Sequence, residues 1–146
     1  MIKIEKVDEY IKYLPNVLKT TLVGIALLVA SFVVSDDKAE AQTFNVETTY
    51  YVSTCEGCIG ITAAGYDVRG TIYAEGYRVV AVDPWVIPLG SILYVETPYE
   101  SYYAMAADTG GAINGSRIDV LVGSYYEAIQ KGRVQSTVTV VEWATY

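Results

Sequence analysis

From residue 44 onward the chain alternates apolar and polar residues in short runs broken by Gly, Pro and Asp, a pattern that predicts a succession of short strands. Residues 44–52, rich in Thr, Tyr and Val, read as the first of them. Residues 68–74 and 77–82 alternate about Glu75-Gly76 and predict a hairpin. Pro84 and Pro88 forbid continued pairing in a central strand and Gly90 permits a turn, so Asp83 falls at a strand end. Further strands are expected over 91–97, 102–107 and 118–122, with a turn at 98–101. Between them, Ser124 as N-cap, Glu127 in the first turn, Lys131 at the end and Gly132 as stop predict one short helix over 124–132. Alternating Val and Thr over 134–143 close the pattern with a last strand. Many short strands and one helix indicate an all-β fold, a small β-barrel.

The region before residue 42 follows a different rule. Ile4, Val7, Ile11 and Leu14 recur at helical spacing among charged residues, and residues 22–34 form an unbroken run of thirteen apolar and small residues. A membrane span needs about 20 residues, so the run suits the apolar region of an export signal. Ala39-Glu40-Ala41 supplies the small-x-small pattern that precedes a cleavage site. Residues 1–41 are therefore expected to be a signal peptide or, if uncleaved, a membrane anchor, and 42–146 an exported, secreted or wall-associated domain. Any contact with the membrane would run through the N-terminal segment alone.

Composition narrows the function. With 146 residues and 52% of them hydrophobic, the chain can hold one core beside a targeting segment. Ten Lys and Arg against 17 Asp and Glu give a net charge of −7 with no basic cluster, which argues against nucleic acid as a partner. Histidine is absent, so acid–base chemistry must fall to carboxylates, Tyr, Lys or Cys. Cys55-Glu56-Gly57-Cys58 cannot complete a zinc site without further Cys or His, and no βαβ pattern surrounds it for a thioredoxin-like role. A short structural disulfide between Cys55 and Cys58, or a pair of buried thiols, is the expectation for an exported protein. No metal and no cofactor are expected. The 14 Tyr can stack on sugar rings, but Tyr is also an ordinary strand residue.

The stretch Ala106-Ala107-Asp108-Thr109-Gly110-Gly111-Ala112-Ile113-Asn114-Gly115-Ser116-Arg117-Ile118-Asp119-Val120 holds two acids at the two ends of a glycine-rich loop. Each sits where an apolar strand meets the loop, partly desolvated. Burial and a second carboxylate both disfavour the charged form, so one of the two can keep its proton and serve as a general acid. Asp is equally a common turn residue, and both can be turn or capping groups instead.

Taken together, Cys55-Glu56-Gly57-Cys58, Gly60-Ile61-Thr62-Ala63, Ala81-Val82-Asp83-Pro84, Val86-Ile87-Pro88-Leu89-Gly90, Ala107-Asp108-Thr109-Gly110-Gly111 and Arg117-Ile118-Asp119-Val120 resemble a 3D domain, a family named for three aspartates. The resemblance spans about residues 48–141. It implies a six-stranded double-psi β-barrel similar to the catalytic domain of membrane-bound lytic transglycosylase A and to stationary-phase muralytic enzymes of Gram-positive bacteria. It further implies cleavage of the MurNAc–GlcNAc β-1,4 bond of peptidoglycan glycan strands, leaving a 1,6-anhydroMurNAc end. Asp119 matches the family's acid/base, Asp108 would tune it or stabilise charge at C1, and Asp83 would orient the site or bind sugar hydroxyls. Thr62, Thr109 and Tyr51 are the implied substrate-binding neighbours. Val52 and Ala64 depart from the family, which often has Thr at both positions. A non-catalytic wall-binding module on the same barrel is the alternative.

Overall fold

The computed structural model describes residues 41–54 and 57–145. The expected signal or anchor over 1–41 therefore lies outside the described residues, save Ala41, as do Cys55 and Glu56. Among the described residues no helix is long and apolar enough to cross a membrane.

Seven strands and one helix follow in order: β1 (Gln42–Tyr51), β2 (Tyr73–Ala74), β3 (Tyr77–Ala81), β4 (Ile92–Glu96), β5 (Ser101–Asp108), β6 (Arg117–Leu121), α1 (Tyr125–Lys131) and β7 (Val134–Glu142). They hydrogen-bond in the order β2-β3-β5-β4-β7-β1-β6, and a further pairing of β3 with β6 closes the sheet on itself. Six strands thus form the barrel, with β2 as a short flap on its edge. Two contacts are parallel, β1 with β6 and β3 with β5, and the other pairings are antiparallel. The mainly-β, six-stranded double-psi barrel anticipated from the sequence is the fold observed.

Alternation along each strand builds the core. Leu93 and Val95, Ile118 and Val120, and Val138 and Val140 point inward with Val80, Ala104 and Ala106, and all are buried. Burying a side chain of this size contributes about 1.5–3 kcal/mol. The opposite wall face carries a second apolar layer of Val79, Met105, Ala107 and Leu121, which Val68 and Ala74 cover. That layer fixes the segment between β1 and β2 against the outside of the barrel, with Val68 N donating to the Gly60 carbonyl and Ala64 N to that of Ala107.

One expectation changes in detail. The strand foreseen over 68–74 shrinks to Tyr73–Ala74, although the turn is where the sequence puts it, with Glu75 at φ 50° and Gly76 at φ 87°. The reason is competition for one edge of β3, since β2 pairs with Tyr77 and Arg78 and β6 takes over at Val80 and Ala81. The strands that flank the glycine loop do not pair with each other, because β3 lies between them. The helix forms as its caps dictate, with Ser124 Oγ accepting from Glu127 N and Gly132 N donating to the Ala128 carbonyl.

Candidate active site on the barrel wall

Ala81 is the reference point of the site. It stands opposite Asp108 on the parallel side of β3 and opposite Asp119 on the antiparallel side. The sandwiching of β3 therefore brings together two acids that are eleven positions apart in the chain. On β5 the register slips between Val80 and Ala81, so that Ala107 is passed over and Asp108 is re-aimed, the usual effect of a bulge. On β6, Ile118 and Val120 fill the barrel, so Asp119 faces outward on the wall.

Strand β1 holds both acids. Thr49 lies beside Asp119 in the parallel ladder, and its Oγ1 donates to Asp119 Oδ1 at 2.8 Å. Two residues on, and hence on the same face, Tyr51 donates its hydroxyl to Asp108 Oδ2 at 2.8 Å. Asp108 Oδ1 also accepts from Ala63 N and Thr109 N, each at 2.9 Å. Burial, seconded by the charge of Asp108, holds the Asp119 carboxyl above its ordinary range, against the opposing pull of the Thr49 hydrogen bond and Arg117. Tyr51 is pushed up by burial and by its bond to Asp108, so it remains a donor. The arrangement is a half-buried acid, biased toward its protonated form, beside a second carboxylate fixed by three donors. Such a pair can give a proton to a leaving oxygen and stabilise positive charge that develops next to it.

Asp83 sits just beyond Ala81 and spends its carboxylate on the backbone. Oδ1 accepts from Trp85 N at 3.0 Å and Oδ2 from Gly115 N at 2.7 Å, while its carbonyl takes Val86 N and Ile87 N. It ties the 83–87 turn to the glycine loop. Arg117 secures the other side of that loop, donating from Nη1 to the Ala112 carbonyl at 3.0 Å and from Nε to Glu47 Oε1 at 2.8 Å. Gly110 is required inside it, because a Cβ there would lie 2.9 Å from Ile113 Cγ1.

Thr62 is 4% exposed, and its Oγ1 accepts from Tyr66 N, closing the loop whose next residue donates to Asp108. Thr109 is exposed beside Asp108. A cleft of about 220 Å³ opens there, lined by Tyr51, Ser53, Cys58, Ile61, Asp108 and Thr109. Cys58 is disulfide-bonded. Among the described residues no cluster of His, Cys, Asp and Glu is placed to hold a metal ion. Thr49 and Arg117 are the site residues that the sequence reading passed over. The spacing of Thr49 and Tyr51 at i and i+2 on a predicted strand was the available signal for the first.

Comparison with known proteins finds relatives in sequence and in fold. A prophage-derived uncharacterized protein of Bacillus subtilis (strain 168), YorM, is 44% identical over 100 residues, covering 68% of this chain and 42% of its own length. The cell wall-binding protein YocH of the same organism is 43% identical over 98 residues, covering 67% of this chain and 32% of its own. The chain thus spans less than half the length of these relatives. Among solved structures, MltA from E. coli is 28% identical, overlaps 57% of this chain and 28% of its own, and superposes with a TM-score of 0.46. Residues 78–142, from Arg78 in β3 to the end of β7, match the 3D domain family.

Proposed function

We propose that this chain is an exported lytic transglycosylase that cleaves the MurNAc–GlcNAc β-1,4 bond of peptidoglycan. One observation carries the reading: Asp119 is half-buried, bonded to Thr49 and held above the ordinary carboxyl range next to the fixed carboxylate of Asp108. In the first step the Asp119 carboxyl gives its proton to the glycosidic oxygen as the C1–O4 bond breaks, and positive charge grows at C1 beside Asp108. In the second, the Asp119 carboxylate takes the proton of the sugar's own C6 hydroxyl while that oxygen bonds to C1. The products are a free 4-hydroxyl and a 1,6-anhydro end. The nucleophile belongs to the substrate, so proximity lowers the barrier and no enzymic nucleophile or activated water is needed. Asp83 acts through the two loops it joins, as a positioning residue, and Tyr51 and Thr109 at the cleft contact the sugar. The cell-wall name of YocH supports peptidoglycan as the substrate class, and an export signal in 1–41 would bring the domain to it.

Digestion of purified sacculi followed by mass spectrometry tests this. Anhydro-muropeptides are expected from the wild type, with release reduced by at least about 10²-fold in Asp119→Asn, the scale of lost general acid catalysis. Reducing ends in place of anhydro ends would reject the mechanism. The name of YocH also favours a second reading, a wall-binding module without catalysis. Retention on insoluble peptidoglycan with no soluble fragments from the wild type would select it.

A further inference from the structure

A second cleft borders the one that holds Asp108 and takes no part in the chemistry above. It has a volume of about 430 Å³, within the roughly 300–1,000 Å³ of small-molecule sites. Ser53, Thr54, Thr71, Tyr73, Val122 and Gly123 line it. Two of its walls continue the strands that carry the site. Residues 52–54 leave β1 directly after Tyr51, and 122–123 leave β6 after Asp119, the two exits being joined by Val122 N donating to the Tyr51 carbonyl. Ser53 lines both this cleft and the smaller one that holds Asp108. The two therefore share a wall at Ser53 and are neighbouring stations.

The lining says what fits. Ser53, Thr54 and Thr71 offer hydroxyls, Gly123, whose N–H donates to Glu127 Oε2, adds a wall without a side chain, and Tyr73, 52% exposed on β2, presents a ring to solvent. None of the described residues that line the cleft is charged. A stem peptide carries free carboxylates, and the described lining offers them no cation. A pyranose ring presents hydroxyls for hydrogen bonding and an apolar face for stacking, and so matches such a wall.

We propose that this cleft is a second saccharide subsite, in which Tyr73 stacks on a ring of the same glycan strand whose scissile bond lies at Asp119. The inference rests on the transglycosylase reading for the identity of the polymer. It makes recognition depend on glycan length and not on the stem.

The test is a titration of the full chain with stem-free β-1,4-linked N-acetylglucosamine oligomers of increasing length, run in parallel with sacculus digestion. In the wild type, affinity should climb with length and then level off once both stations are filled. Tyr73→Ala should bind the longer oligomers about tenfold more weakly, the scale of one lost stacking contact, with the shortest oligomer unaffected. Tyr73→Phe, which keeps the ring, should retain the length dependence and so separates stacking from loss of the flap. Wild-type length dependence in Tyr73→Ala, or equal affinity of the wild type for every length, overturns the subsite. Failure to bind any oligomer while anhydro-muropeptides are still released also removes the subsite and leaves the activity standing. Failure of both removes the two together.

Discussion

At the scale of single residues, the site depends on how β1 distributes its hydroxyls. The Thr49 hydrogen bond pulls Asp119 down and so opposes burial and Asp108. Thr49→Val should accordingly let the Asp119 carboxyl rise further. If Asp119 must enter the reaction protonated, the alkaline limb of the pH–rate profile moves to higher pH, because a higher pKa keeps the acid form present for longer. The variant also loses a bond to a charged group, worth about 1.5–3 kcal/mol, and a fall in kcat of roughly tenfold or more is expected. An unmoved alkaline limb would show that Thr49 does not tune the acid. This residue was legible only in part. Alternation places Thr49 and Tyr51 on one face, but local sequence left Asp108 and Asp119 as turn residues just as readily, because nothing in the intervening loop states that a third strand lies between them.

At the scale of elements, the strand runs, the turn at Glu75-Gly76 and the caps of α1 were readable because each is set by neighbours in sequence. Which strands pair was not, since β1 with β6 and β3 with β5 are contacts between distant segments, and β3 could not be seen to share its edge between β2 and β6. The role of Asp83 belongs to this scale. Both of its oxygens receive backbone N–H groups from different loops, whereas an Asn has a single acceptor oxygen to offer. Asp83→Asn is expected to loosen the 83–87 turn from the glycine loop, to cost about 1–3 kcal/mol in urea unfolding and to raise KM with kcat largely kept. Loss of kcat at unchanged stability would instead make Asp83 a residue that touches substrate.

For the whole molecule, the charged cluster beneath α1 contributes to the response to acid. Arg78, with a side chain 8% exposed, reaches Glu100 at 3.2 Å and Glu127 at 3.7 Å, and Lys131 meets the same two acids at 2.6 and 3.0 Å. Burial works against the charged form of Glu100, yet Lys131 and Arg78 outweigh it and its carboxyl lies below the ordinary 4.5. A depressed carboxyl contributes stability that is fully present above its unfolded value and is lost as pH falls through the folded one. Thermal unfolding followed from pH 6 downward should therefore show Tm falling once pH drops below about 4.5, and Glu100→Gln should flatten that fall. Equal slopes in the two proteins would place the acid sensitivity elsewhere.

The position of Ala81 between the two acids carries a consequence for how this barrel can diversify. The backbones of Asp108 and Asp119 are held two strand spacings apart, roughly 10 Å, by the hydrogen-bond ladders on either side of β3. Sheet spacing is a constant of the peptide, so the sheet acts as a ruler that the glycine loop does not set. Beyond Gly110, residues 111–114 can lengthen, shorten or change character, altering the rim of the site, while the backbones that carry the two carboxylates stay at the same separation.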